Sequence, residues 1–197
     1  MISINGYTEI YLAFSLFLAL IPFGLSYILY VYEIRSKWIS YPLFMLWVLM
    51  FPNIPYLFTK GRYLMGYCGS TSPWELCGNS WQIGFFFLHG LVGVPLMYLS
   101  IQYIAKWLKR FTTKINHGTV ALAICSLSAF AIPIGLYGRF NSWNIGNTPN
   151  QIITFYNNYL IEFGLTEIVF WVIIYMLIYF VIHWFSLYVS KSDIKLS

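Results

Sequence analysis

Five long apolar stretches constrain this chain more than any other feature. They cover roughly residues 10–32, 38–58, 81–105, 118–137 and 168–189. The length of each stretch is close to that of an α-helix that crosses the hydrocarbon of a bilayer, about 20 residues. Helices are favoured because backbone groups find no water there, and barrel strands would be shorter and alternating. The sequence predicts an all-α, polytopic integral membrane protein with about five transmembrane helices, in which residues 1–197 form a single domain.

Composition agrees with an apolar surrounding. Hydrophobic residues make up 59% of the chain and charged residues only 9%, whereas soluble domains carry about 25% charged residues. The net charge of +5 is spread between the apolar stretches, so we expect membrane lipid as a partner and no nucleic acid. The amino terminus lacks a basic segment typical of a signal peptide and is predicted to be a retained first span.

The distribution of Lys and Arg predicts the orientation. Eight lie in connections or tails of one side, and three lie on the other. The first group is Arg35, Lys37, Lys106, Lys109, Arg110, Lys114, Lys191 and Lys195; the second is Lys60, Arg62 and Arg139. Because cytoplasmic loops are enriched in basic residues, we expect the amino terminus outside and the carboxyl terminus in the cytoplasm. The connections 59–80 and 138–158 would then face outward and be irregular, since they are rich in Gly, Pro, Asn and Ser.

The second span carries a proline-rich block at its predicted outer end, FPNIPYLFT at residues 51–59. Pro52 and Pro55 each remove a backbone donor and so disturb the helix, while Asn53 can bond to nearby backbone. Broken helices at membrane depth are tolerated where they are buried in protein or line a wet cavity. The simpler interpretation is a helix that ends at its prolines.

A second polar block, GLYGRFNSWN at residues 135–144, follows the fourth span. Arg139 lies where that span leaves the bilayer, on the same predicted side as Asn53. A lone arginine there can simply extend to the headgroups. The neighbouring Asn141, Trp143 and Asn144 favour a more specific role.

These two blocks resemble those of a family of small bacterial membrane proteins, known as domain of unknown function 1361. Its members carry a PNxPY-like and a GRF…NSWD-like signature. The resemblance implies a multi-pass protein of a bacterial cytoplasmic membrane and no particular activity. Lys60 and Asn144 stand where the family pattern has acidic residues, so a cation or proton site is not carried over.

The two blocks together suggest one outward-facing polar site. Its candidate ligand-binding residues are Asn53, Lys60, Arg62, Arg139, Trp143 and Asn144. Three cations favour an anionic or phosphate-bearing ligand, with Arg139 as a bidentate clamp. In the competing interpretation, Glu162 or Glu167 neutralises Arg139 as a structural ion pair.

The remaining reactive side chains predict no metal site and no cofactor. Cys68 and Cys77 lie in one predicted outer connection and are a candidate disulfide, although both can equally remain free thiols. His89 lies inside the third span near Gly90 and Gly93, where neutral histidine bonded to a neighbouring helix competes with a functional role. No zinc spacing, phosphate-binding loop or hydrolase motif occurs.

Three functions remain open from the sequence. The first is a multi-pass protein that binds or helps move an anionic or lipidic ligand at its outer face. The second is a membrane-embedded enzyme acting on a lipid-linked substrate, with Glu75, Glu162, Glu167 or His89 as its acid or base. The third is an accessory or immunity-type subunit that packs against a membrane protein partner through its glycine-rich third span.

Overall fold

The fold comes from a computed structural model, and all its described elements are helical. The structure describes residues 4–32, 36–61, 80–112, 114–138, 140 and 144–194. The α-helices are α1 Ile4–Val31, α2 Lys37–Met50, α3 Asn53–Tyr56, α4 Ser80–Leu108, α5 His117–Leu136, α6 Asn144–Asn147, α7 Pro149–Phe163 and α8 Thr166–Ile194; a 3₁₀ turn covers Leu57–Gly61. No strand occurs in these ranges.

Five segments are long and apolar enough to cross a membrane, which confirms the predicted number of spans. They cover Ala13–Val31, Lys37–Thr59, Phe87–Leu108, His117–Leu136 and Thr166–Tyr188. The second combines α2, α3 and part of the 3₁₀ turn, so it is interrupted, as the prolines predict. Large apolar side chains on the outside of the spans are exposed, for example Trp38, Phe17 and Trp184, as expected of surfaces in contact with lipid.

Helix α4 lies at the centre of the described bundle. It packs against α1, α5, α8 and the segment that follows the break in the second span. Helix α2 packs mainly on α1, and α8 packs on α5 as well as on α4. We call the end of the bundle where α5 ends and α8 begins the distal end, and the other end the proximal end.

Buried polar side chains connect the first three spans. The Trp47 indole Nε1 donates to Ser100 Oγ at 2.9 Å, Ser100 Oγ donates to Ser26 Oγ at 3.0 Å, and Ser26 Oγ donates to the Phe23 carbonyl at 2.7 Å. Trp47, Ser26 and Ser100 are fully buried. Such bonds contribute about 0.6 kcal/mol each on average in membrane bundles, and this series fixes the relative positions of α1, α2 and α4.

The connection before the last span differs from the sequence prediction. Residues 138–158 were expected to be irregular, but α6 and most of α7 lie within them. Pro149 opens α7, where its missing N–H is not needed, and Gly164 ends it at φ 65°, a conformation that favours glycine. The prediction was wrong because the Asn-rich face of α7 is exposed, so composition hid a helix whose aromatic residues pack on α5.

Gly93 of α4 permits a close approach of the second span. A Cβ atom there would lie 2.9 Å from Phe58 Cε1, 3.2 Å from Leu57 Cβ and 3.4 Å from the Ile54 carbonyl oxygen. The interrupted end of the second span therefore rests directly on the α4 backbone. The glycine-rich part of the third span thus packs against a segment of the same chain.

Gly93→Ala should therefore destabilise the protein. Overpacking costs about 1–3 kcal/mol, and the better helix propensity of alanine returns about 1 kcal/mol of that. Gly24→Ala is the matched control, because a Cβ at Gly24 meets nothing within 4 Å, and it should be neutral or stabilising. Unfolding in SDS of the purified protein measures both; equal stability of the two variants would contradict the close packing at Gly93.

Candidate functional site at the distal end

Side chains of the second span supply hydrogen bonds to the backbone at its break. Ile54 N–H donates to the Phe51 carbonyl at 2.9 Å, which leaves the Met50 carbonyl without its usual helical donor. The Asn53 amide donates to that Met50 carbonyl at 2.9 Å, and Thr59 Oγ1 donates to the Tyr56 carbonyl at 2.8 Å. A side-chain amide thus replaces a backbone bond where water is excluded.

Tyr56 connects the proline-rich block to the end of α5. Its ring atom Cε2 lies 3.4 Å from the position that a Cβ of Gly135 would occupy. Its Oη donates to the Gly135 carbonyl at 3.4 Å, a long hydrogen bond. The two sequence blocks are 79 residues apart and meet through this contact.

The end of α5 is a tight turn. The N–H groups of Tyr137 and Gly138 both donate to the Pro133 carbonyl, at 3.0 and 3.1 Å, and Phe140 N–H donates to the Ile134 carbonyl at 3.1 Å. A Cβ at Gly138 would lie 2.7 Å from Phe140 Cδ2 and 2.9 Å from the Ile134 carbonyl oxygen. The turn holds Tyr137 against Tyr159 of α7 and Glu167 of α8.

Glu167 in the first turn of α8 is held by two tyrosines. Tyr137 Oη donates to Glu167 Oε1 at 2.7 Å, and Tyr159 Oη of α7 donates to Glu167 Oε2. The acidic group also lies at a helix amino terminus, where the helix dipole favours negative charge. One carboxylate thereby joins α5, α7 and α8.

The two tyrosines that bind this carboxylate belong to a group of packed aromatic rings. The Tyr137 ring stacks on Tyr159 with centroids 5.7 Å apart, and Phe163 lies 5.1 Å from Tyr159. Burial raises the pKa of Tyr159, and the Glu167 carboxylate raises it further. Burial also raises the pKa of Tyr156. Both phenols therefore stay protonated at neutral pH, and Tyr159 donates its proton to Glu167.

The structure describes some of the six predicted ligand residues fully, some only in their backbone and some not at all. Asn53 is described and bonds to its own helix end. Only the backbone is described for Lys60, in the 3₁₀ turn, and for Asn144, which begins α6. Arg62, Arg139 and Trp143 lie outside the described residues, as do Cys68 and Cys77. The site and the disulfide stay predictions.

The acidic candidates occupy different surroundings. Glu162 is exposed on α7, whereas Glu167 accepts two phenolic hydrogens at the distal end. His89 is buried in α4 at 7% exposure. In the described part of the chain, no three His, Cys, Asp or Glu side chains are grouped to hold a metal ion.

Sequence reasoning did not find Tyr137 and Tyr159. One signal was available: Tyr137 stands in the block that contains Arg139, two residues before it. Tyr159 lies eight residues before Glu167, directly after the segment interpreted as an irregular connection, so the helical face that it shares with residues 149–158 was not recognised.

Comparison with known protein families identifies the family of this chain. Residues 14–189 match the model of a family described as Protein of unknown function (DUF1361). The chain belongs to this family. The matched range spans both sequence blocks and the residues of the Glu167 cluster, and it confirms the predicted family. No curated protein and no solved structure matches the chain.

Tyr159→Phe should destabilise the distal end. A hydrogen bond to a charged group is worth about 1.5–3 kcal/mol, and Tyr159 is only 3% exposed, so solvent replaces the bond poorly. In a Glu167→Gln background, the same substitution should cost less, because the two residues share one interaction.

Glu162→Gln is the matched control for Glu167→Gln, since Glu162 lies five residues earlier, at an exposed position of α7. It should change the free energy of unfolding by less than about 0.5 kcal/mol. Unfolding curves in SDS give all four values. Additive effects of Tyr159→Phe and Glu167→Gln would show that the carboxylate is not bound by this tyrosine.

Proposed function

We propose that this membrane protein binds a lipid, or a lipid-linked molecule, through an anionic headgroup at its distal end. The headgroup would lie between the proline-rich block and the GLYGRFNSWN block. Arg139 would clamp an anionic oxygen pair, Lys60 and Arg62 would add positive charge, and Asn53, Trp143 and Asn144 would complete the site. Transport of the ligand would be a further step.

The contact between Tyr56 and Gly135 is the observation that carries this proposal. It joins the two blocks, which contain four of the six candidate residues, and Lys60 and Arg62 follow the first block directly. Because Lys60 follows Tyr56 by four residues and Arg139 follows Gly135 by four, short segments of chain connect both cations to the contact. Two positive charges near one place attract an anion more strongly than either does alone.

The carboxylate of Glu167 is already hydrogen-bonded by protein groups. Both of its oxygens accept hydrogen bonds from tyrosines, so two neutral donors contribute to its stabilisation. The same bonds direct Glu167 towards protein groups, which argues against its use as a catalytic base. An enzyme on a lipid-linked substrate is thus the less supported alternative.

An accessory subunit is also less supported. That hypothesis expected an open glycine-rich face on the third span. The space at Gly93 is taken by Phe58, Leu57 and Ile54 of the same chain. A partner would need another surface of α4.

Binding of the headgroup can be tested by native mass spectrometry of the purified protein with added phosphatidylglycerol or phosphatidylcholine. Arg139→Ala should weaken phosphatidylglycerol binding about 10–100-fold, the equivalent of one charged hydrogen-bonded pair. Arg139→Lys should retain part of the binding, because it keeps the charge and loses the bidentate geometry. Lys114→Ala, an exposed cation at the proximal end, is the control and should bind as the wild type does. Unchanged affinity of Arg139→Ala would overturn the proposal.

The proposed orientation places the distal end outside the cytoplasm, in a bacterial cell membrane. Single cysteines at Ile161 and Lys109, in a chain with its three native cysteines replaced by serine, test this with a membrane-impermeant maleimide. Ile161 is 86% exposed on α7, and Lys109 is exposed after α4. Intact cells should label position 161 and leave position 109 unlabelled until lysis. The reverse pattern would refute the orientation and put the anion site in the cytoplasm.

A further inference from the structure

A row of polar-tipped side chains follows α8 through the bundle. Every fourth residue carries one: Glu167, Trp171, Tyr175, Tyr179 and His183. Such spacing keeps neighbours in contact along one side of a helix. The Trp171 and Tyr175 ring centroids are 5.8 Å apart, and those of Tyr179 and His183 are 5.9 Å apart and nearly parallel.

The two ends of this row have hydrogen-bond partners. Glu167 binds Tyr137 and Tyr159 at the distal end. Gln102 Nε2 of α4 donates to Tyr179 Oη at 2.9 Å, and Tyr98 Oη lies 3.1 Å from His183 Nδ1. Polar atoms at both ends are therefore satisfied by neighbouring helices, as is usual for buried groups.

The middle of the row is different. Within the described residues, neither Tyr175 Oη nor Trp171 Nε1 has a hydrogen-bond partner, and both atoms are buried. Tyr175 is 0% exposed and packs beside Phe58 of the interrupted second span, with ring centroids 6.1 Å apart. Phenylalanine would fill the same space without a polar atom, and an unsatisfied buried hydroxyl is costly.

We propose that Trp171 Nε1 and Tyr175 Oη form a buried site for one uncharged oxygen acceptor. The indole only donates and the phenol can donate, so the occupant must accept. No charged residue occurs between Glu167 and His183 in the sequence, and an unpaired ion would be expensive to bury there. Two sources supply such an oxygen: an internal water molecule, or the ester or hydroxyl group of a lipid drawn in between the helices, since these groups otherwise stay at the edge of the hydrocarbon. The site is independent of the headgroup site proposed above.

Position along α8 places this site deep in the membrane. Tyr175 follows Glu167 by eight residues, a rise of about 12 Å in an α-helix, and precedes His183 by the same number. The hydrocarbon core is about 30 Å thick. The site thus lies near mid-depth, beside Phe58 of the interrupted second span.

The stability of Tyr175→Phe distinguishes an occupied site from an empty one. If the hydroxyl binds an acceptor, its loss should raise the unfolding equilibrium constant in SDS about fivefold, the effect of one net hydrogen bond. If the site is empty, removal of an unsatisfied hydroxyl leaves that constant unchanged or lowers it. Tyr179→Phe, which loses a visible bond, should resemble the occupied case; Tyr188→Phe, at an exposed position, should have no effect.

Repeating the measurement after thorough delipidation identifies the source of the oxygen. A water-bound site keeps the fivefold effect, whereas a lipid-bound site loses it and regains it when phosphatidylcholine is added back. Either result supports the site. A Tyr175→Phe protein at least as stable as the wild type in lipid would overturn it.

Discussion

The absence of water in the hydrocarbon is the constraint on which the rest of this structure depends. Each backbone group in a span must find a partner within the protein. The prolines of the second span remove donors, and the chain compensates locally: the Asn53 amide donates to the Met50 carbonyl, and Thr59 donates to the Tyr56 carbonyl. A break that would be unstable in contact with lipid is thereby stabilised inside the protein.

Close packing against α4 positions the interrupted segment at the distal end. Gly93 has no side chain, so the interrupted segment lies on α4 and directs Tyr56 towards Gly135. At the same end, Glu167 joins α5, α7 and α8 through Tyr137 and Tyr159. The two sequence blocks and the carboxylate cluster are thus neighbours because three helix ends and one break meet there.

Much of this arrangement could be predicted from the sequence. Continuous apolar runs identify spans without knowledge of their partners, so five spans were found, and Pro52 and Pro55 identified the interruption. The Glu167 cluster could not be predicted, because it requires the face of α7 to be known. That helix has exposed asparagines on one side and aromatic rings on the other, and local composition indicated a loop. Tyr175 and Trp171 were missed for a related reason: in a fully apolar span, only tertiary contacts distinguish a satisfied ring from an unsatisfied one.

Chemical cross-linking between positions 56 and 135 tests the central claim, that the interrupted second span meets the end of the fourth. Tyr56→Cys and Gly135→Cys would be combined in a chain whose native cysteines are replaced by serine, and treated in membranes with a short bifunctional thiol reagent. Tyr56→Cys with Trp184→Cys, an exposed position on α8, is the control pair. The account predicts an intramolecular cross-link in the first pair and none in the control. A first pair that reacts no more than the control would contradict it.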